Sequence, residues 1–225
     1  MIRMAGEKRD FDAVATVWDE NPQRVKLAGD ICRALKETIR LTPAMDVLDV
    51  GCGTGLLTLQ LQPQVRSITG IDSSEGMLGM LKAKVRDNGL ANVTTRRVDL
   101  ENREEWEGRY DLVVSSMTLH HIRNLSLLFD HVVSVVRPKG FLCIADLDKD
   151  YGKFHDSNEG VFHSGFDRAV LQKEFEKAGF CKVRNRTAAI IPKPDSRGEM
   201  QYFTVFIMTG EKREDSRVAY AGQIF

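Results

Sequence analysis

The sequence predicts an α/β fold: a doubly wound, mostly parallel seven-stranded sheet with helices on both faces. Three observations carry this expectation. From Thr42 onward, strand-length apolar runs alternate with helix-length amphipathic runs, the pattern of a parallel sheet covered on both sides. The first of these strands runs into glycines at alternate positions, Gly51, Gly53 and Gly55. Finally, three successive strands each end near an acid, Asp49, Asp72 and Asp99, on the edge where open α/β sheets bind ligands.

Two helices precede the sheet. Phe11, Val14, Ala15 and Trp18 stand at helical spacing and stop near Pro22, after which Val25, Ala28, Ile31, Cys32, Leu35 and Ile39 form one stripe to about Arg40. Residues 1–41 are expected to form a helical lid on a single domain spanning 42–210, with 211–225 a charged, solvated tail.

The stretch Val47-Leu-Asp-Val-Gly-Cys-Gly-Thr-Gly55 reads as strand, tight turn and helix, because glycine tolerates positive φ and lets a ligand approach the backbone. Its spacing, G-x-G-x-G, departs from the dinucleotide pattern G-x-G-x-x-G, whose sixth position is Leu56 here. Asp49 would repel a pyrophosphate and favour a ligand carrying positive charge, as the sulfonium and ammonium of S-adenosylmethionine do. The next strand, Val65 to Asp72, ends in an acid about twenty residues past the first glycine, the separation of a ribose-binding carboxylate.

The helix Ser74–Asn88 turns Met77, Leu78, Leu81 and Val85 inward and stops at Gly89. Val93–Val98 is the third strand, and Tyr110–Ile122 is the fourth strand with its exit loop, which holds His120 and His121. Adjacent histidines are expected to face opposite ways, leaving one of them structural. The run Asn124–Arg137 is apolar nearly all round and should be buried. Arg137-Pro-Lys-Gly140 makes a turn into the strand Phe141–Leu147. The polar stretch Asp148–Gly165 carries His155 and His163 and is too long for a plain connector, which suits a substrate pocket. Ser164-Gly-Phe-Asp167 opens a helix with Phe166, Val170, Leu171 and Phe175 inward, and Cys181–Ile191 and Gln201–Thr209 are the last two strands.

Taken together, the glycine turn with Asp49, the acids Asp72 and Asp99, the Tyr110-Asp strand with its His pair and the Arg137-Pro-Lys-Gly140 turn resemble the class I S-adenosylmethionine-dependent methyltransferases, over roughly Thr42–Thr209. The resemblance implies a final strand antiparallel to the rest and an N-terminal segment, with Trp18, that covers the cofactor. It places cofactor contacts at Asp49, Gly51, Cys52, Gly53 and Gly55, at Asp72, Ser73 and Met77, at Asp99 and Leu100 beside the adenine, and at Ser115. Ser115-Ser-Met-Thr118 stands where enzymes acting on nucleic-acid amino groups or glutamine amides carry an Asn/Asp-Pro-Pro-aromatic run. Those substrates are therefore disfavoured.

Composition agrees. Lysine plus arginine and aspartate plus glutamate number 32 each, without the basic excess of a nucleic-acid-binding domain. No apolar run approaches the ~20 residues that span a bilayer, and no apolar leader opens the chain, so a cytoplasmic protein without nucleic-acid or membrane partners is expected. The cysteines Cys32, Cys52, Cys143 and Cys181 lack metal or disulfide spacing. Asp146, Asp148 and Asp150 with the two histidines His155 and His163 could suggest a metal, but alternate acids match no standard ligand spacing, so no metal is expected.

The expectation is a monomeric or homodimeric methyltransferase acting on an O, N, C or S nucleophile of a small molecule and releasing S-adenosylhomocysteine. His121, then His120, His155 and His163, are the candidate bases where the nucleophile holds a proton. A nicotinamide-dependent oxidoreductase and a non-catalytic cofactor-binding protein are the alternatives.

Overall fold

The computed structural model describes residues 9–102, 106–195 and 197–214. Most of the expected charged tail, from residue 215, lies outside them. Seven strands form one sheet: β1 (Asp46–Val50), β2 (Ser67–Asp72), β3 (Val93–Arg97), β4 (Tyr110–Ser116), β5 (Val136–Leu147), β6 (Phe180–Pro194) and β7 (Met200–Lys212). Their order is β3-β2-β1-β4-β5-β7-β6. β1 pairs in parallel with both β2 and β4, while β7 runs antiparallel to β5 and β6. The chain reverses its direction of travel across the sheet between β1 and β4, and at such a switch point the loops leaving the strands diverge and open a crevice.

Alternation along the central strands divides the core into two layers. Val47, Leu112, Val114, Val205 and Ile207 face α1 (Pro22–Thr38) and α2 (Thr58–Leu61). Leu48, Val113, Phe206 and Met208 face α4 (Leu125–Val135) and α5 (Arg168–Lys177). α3 (Glu75–Asp87) buries Met77, Leu78 and Leu81 beside the glycine turn. At the opposite end of the sheet from that turn, Asp46 accepts hydrogen bonds from Arg66, Ser67 and Arg137, and Arg137 also donates to Asp111. These pairs fix where β1, β2, β4 and β5 begin.

Several local expectations are corrected. The helix after the glycine turn is a single turn, Thr58–Leu61, because Gln62-Pro63 passes into a short 3₁₀ segment. The first N-terminal segment, Asp12–Glu20, is 3₁₀ rather than α. Val170 is exposed; α5 is held by the single-face pair Leu171 and Phe175 and is capped by Asp167, whose carboxylate accepts from the Ala169 and Val170 amides. Arg137-Pro-Lys-Gly140 is an irregular part of β5, where the register against β4 shifts and Lys139 takes φ 63°. The last two strands run further than expected, to Pro194 and Lys212.

Candidate active site

The exit of β1 is pinned from β2. The Gly51 and Cys52 amides both donate to the Ile71 carbonyl, at 2.8 and 3.1 Å. Asp72 follows at the strand end, its Oδ2 accepting from the Gly53 amide and its Oδ1 from the Ser74 amide, both at 2.9 Å. One carboxylate thus joins the glycine turn to the start of α3. Gly51, Gly53 and Gly55 all take positive φ, at 70°, 54° and 86°. A Cβ on Gly51 would strike the Thr118 side chain and one on Gly55 would strike Leu81, whereas Gly53 faces open space with the Met77 sulfur at its edge, 4.0 Å away. Two glycines are therefore needed for close packing and one for access.

Asp49 is 1% exposed and accepts a 2.6 Å hydrogen bond from Thr58 Oγ1. Burial raises its pKa to about 7, against the effect of that bond and together with the charge of Asp72. Asp72 is raised as well, first by burial. Two carboxylates short of solvation on one wall make a place where positive charge is welcome. Asp99 and Leu100 complete this end, just beyond β3, with Asp99 accepting from the Glu101 amide.

The N-terminal segment closes over the turn. Asp12 Oδ1 accepts from Ser74 Oγ and the Gly76 amide, and Asp19 accepts from Thr54 Oγ1 at 2.5 Å and pairs with Lys84. Trp18 lies on the cavity wall with the Arg24 guanidinium 3.7 Å from its ring centroid. These carboxylate anchors were not foreseen. Asp12 and Asp19 bond to residues more than thirty positions away, and no local spacing announces such pairs.

Between this segment and the glycine turn lies a cavity of about 780 Å³, in the upper part of the roughly 300–1,000 Å³ common for small-molecule sites. Its walls include Trp18, Asp49, Gly51, Cys52, Gly53, Asp72, Ser73, Met77, Asp99 and Leu100 at one end. Ser115 stands apart from it: its hydroxyl is buried and donates to the Val50 carbonyl, so the residue links β4 to β1. Gly55 also lies off the wall, behind the turn against Leu81.

Histidines line the other end. His120 and His121 both face the cavity, with ring centroids 4.1 Å apart, which corrects the expectation that adjacent histidines diverge. They sit in a 3₁₀ turn, Leu119–His121, in which Leu119 takes the core position and the next two side chains swing to the open side. His120 Nδ1 is 2.6 Å from Asp146 Oδ1. Burial raises Asp146, but the charge and hydrogen bond of His120 and the Leu147 amide outweigh it and leave its pKa below the usual value. His121 Nδ1 meets the Gly160 carbonyl at 2.7 Å, and burial with the neighbouring His120 lowers its pKa to about 3. His155 joins from the loop after β5, lowered to about 4 mainly by burial. His163 does not reach the cavity; its Nε2 bonds the Ile122 carbonyl.

The alternate acids disperse. Asp146 holds His120, Asp148 accepts from Arg168 and Thr204, and Asp150 accepts from the Gly152 and Phe154 amides. No helix among the described residues is long and apolar enough to cross a membrane.

Residues 47–140 match the family model of a methyltransferase domain. An uncharacterised methyltransferase of Schizosaccharomyces pombe is 32% identical over 135 residues, covering 54% of this chain and 48% of that protein. The malonyl-[acyl-carrier protein] O-methyltransferase of Bacillus cereus is 29% identical over 180 residues, 78% of this chain and 62% of its own length. The chain thus spans about half to three fifths of these two relatives. Among solved structures, the phosphoethanolamine N-methyltransferase 2 of Haemonchus contortus, in complex with phosphomonomethylethanolamine and S-adenosylhomocysteine, superposes with a TM-score of 0.70 at 15% identity, over 92% of this chain and 60% of that one. Its sheet order and antiparallel seventh strand give the chain the Rossmann-like methyltransferase fold, and residues 47–140 carry the match to a methyltransferase domain.

Proposed function

We propose that this protein binds S-adenosylmethionine at the glycine turn and passes its methyl group to an O, N, C or S nucleophile of a small molecule held at the histidine end. The observation that carries the reading is the continuity of one cavity from Gly53, Asp49 and Asp72 to His120, His121 and His155. The donor set suits the cofactor. Gly53 leaves open space for a ligand, Asp72 retains lone pairs for ribose hydroxyls beyond the two amides it accepts, and Asp49 offers a poorly solvated carboxyl to a cation. When bound, the cofactor supplies a methyl group on sulfur whose leaving group is a neutral thioether.

The protein's share is then alignment and exclusion of water, and such positioning is worth roughly 7–11 kcal/mol in well-oriented systems. The lid anchored through Asp12 and Asp19 covers the turn, and Trp18 closes its side. Where the nucleophile carries a proton, the order of the candidate bases changes from the sequence expectation. His120 comes first, because Asp146 fixes its Nδ1–H and leaves Nε2 as the accepting nitrogen. His121 and His155 are weak bases near pH 3 and 4, and His163 is turned away.

A calorimetric titration with S-adenosylmethionine, S-adenosylhomocysteine and NADH tests the cofactor. Micromolar binding of the first two and none of the third is expected. Protection by NADH alone would instead favour the oxidoreductase reading, which shares the glycine turn and Asp72.

A further inference from the structure

The histidine end has a feature that methyl transfer by itself does not demand. His120, His121 and His155 come from two separate loops, yet one imidazole nitrogen from each lies within 4.8 Å of the others. Two of the three already have the partner that a metal-bound imidazole usually has on its second nitrogen, a carboxylate or a backbone carbonyl. For His120 it is Asp146, 0% exposed, at 2.6 Å; for His121 it is the Gly160 carbonyl at 2.7 Å. Against a carboxylate or carbonyl oxygen Nδ1 is the donor, so each ring in its neutral form has Nε2 as the nitrogen that can ligate. The third ring, His155, has a buried Nε2 with no hydrogen-bond partner. A buried imidazole nitrogen left unpaired costs free energy, and a ligand in the cluster would relieve that cost.

From this geometry we infer that His120, His121 and His155 form a binding site for a divalent transition metal of the zinc type, with an open coordination position toward the acceptor end of the cavity. The chemistry of the donors favours this class. Three neutral imidazoles suit Zn²⁺ and its borderline neighbours rather than Mg²⁺ or Ca²⁺, which take oxygen ligands. Three protein ligands and one open position are the pattern of catalytic rather than structural zinc sites. The buried Asp146 supplies compensating negative charge through His120. At a Zn–N distance of ~2.0–2.1 Å, tetrahedral ligand nitrogens stand about 3.4 Å apart. An upper bound of 4.8 Å leaves room for a small contraction, and His155 stands in a segment between β5 and α5 that forms no helix or strand.

The inference rests on the reading that the acceptor enters at this end, and it narrows the acceptor to a molecule with a metal-binding heteroatom, a thiol or a phenolic, enolic or alcoholic hydroxyl. Coordination lowers the pKa of such a group, and in the metal-bound protein His120 Nε2 is then a ligand in place of the proton acceptor it would be in the metal-free one. The acceptor's proton goes to solvent, the freed pair on oxygen or sulfur forms the new bond to the methyl carbon, and the carbon–sulfonium bond breaks with its electrons returning to sulfur. No oxidant or reductant is needed.

The test uses the full chain, stripped with a chelator and titrated with Co²⁺ and then Zn²⁺, with visible absorption of the cobalt form and calorimetry as readouts. One equivalent of Co²⁺ with the d–d absorption of imidazole ligation, displaced by Zn²⁺, is expected. Asp146→Asn should weaken uptake by roughly 10- to 100-fold, and His155→Ala by more than about 100-fold, with thermal melts confirming that both fold. Uptake by the wild type no stronger than by a His120→Ala/His155→Ala double variant would overturn the site. S-adenosylhomocysteine titrated into the same samples reports on the cofactor end separately. If it binds while the metal does not, the metal site alone fails. If cobalt binds as expected while the cofactor product does not, the metal site stands and the methyltransferase reading fails.

Discussion

The two ends of the cavity are built differently. The end proposed for the cofactor is made by the strands themselves: β1 runs into the glycine turn, β2 ends at Asp72, and Asp99 follows β3, so its groups are set by the sheet and by short spacings. The end proposed for the acceptor is made by convergence. His120 and His121 leave β4, His155 stands eight residues beyond the end of β5, and Phe11 of the N-terminal segment packs its ring edge-on against His121, 5.1 Å away. Sheet-borne sites follow from the fold, whereas loop-borne sites follow from contacts between distant segments. The first kind suits a ligand shared by a whole family, and the second a ligand particular to one member.

The sharpest way to break this division is at the acceptor end. His120→Ala is expected to lower turnover by roughly 10²- to 10⁴-fold, the usual contribution of a positioned proton acceptor, with cofactor affinity unchanged by calorimetry. His163→Ala, whose ring bonds the Ile122 carbonyl outside the cavity, should leave turnover close to wild type. Equal losses in the two variants would remove the histidine end from the chemistry.

At the cofactor end, Asp72→Ala should weaken S-adenosylhomocysteine by about 1.5–3 kcal/mol, the range for hydrogen bonds to charged groups, or roughly 10- to 150-fold. The change belongs in Kd rather than in the rate at saturating cofactor. An unchanged Kd would mean that the carboxylate serves only the Gly53 and Ser74 amides.

Asp49 gives a smaller effect whose sign depends on pH. Its folded pKa, about 7, stands above the ordinary carboxylate value, so the native state holds the proton more tightly than the unfolded chain. Stability is therefore lost as pH rises from about 4 to about 7, and the loss is complete above that. Asp49→Asn should raise the melting temperature at pH 8, by roughly 2–4 °C per kcal/mol recovered, and give no gain near pH 4. The same variant should bind S-adenosylmethionine less well relative to S-adenosylhomocysteine, because it has lost a charge that favours the sulfonium. A melting gain without any change in that ratio would detach Asp49 from the cofactor.

The smallest functional effect is expected far from both ends. Asp46 is held well below the usual carboxylate range, first by its hydrogen bond from Arg66 and then by those from Ser67 and Arg137. A depressed folded pKa stabilises above the unfolded value near 4 and ceases to do so as pH falls through the folded one. Asp46→Asn should cost about 1–3 kcal/mol at pH 7, a gap that narrows in acid, and should leave cofactor Kd unchanged. A shift in Kd would show that strain travels along β1.

Much of the geometry around the glycine turn is legible in the sequence because its signals are short. Alternate glycines after an apolar strand, an acid two residues before them and a second acid about twenty residues on can all be read without knowing which segments touch. The lid was legible only as an amphipathic segment; its anchors, Asp12 on Ser74 and Asp19 on Thr54, join residues that nothing in the local pattern connects. The carboxylate partner on which the proposed order of the histidines rests is hidden for the same reason. Ranking His121 first used position alone, whereas the carboxylate partner of His120 lies on β5, 26 residues away. Ser115 was assigned to the cofactor by family position, but its hydroxyl is used in joining two strands. Val170 fits an apolar stripe on paper, yet two aromatic or aliphatic residues one turn apart, Leu171 and Phe175, suffice to seat so short a helix.

The central claim is that the sheet-borne end of this cavity holds S-adenosylmethionine. Calorimetric titration of the wild-type chain and of Asp72→Ala with S-adenosylmethionine, S-adenosylhomocysteine and NADH tests it directly. The account predicts micromolar binding of the first two by the wild type, at least tenfold weaker binding by the variant, and no heat from NADH. Binding of NADH with no response to either sulfur compound would contradict it.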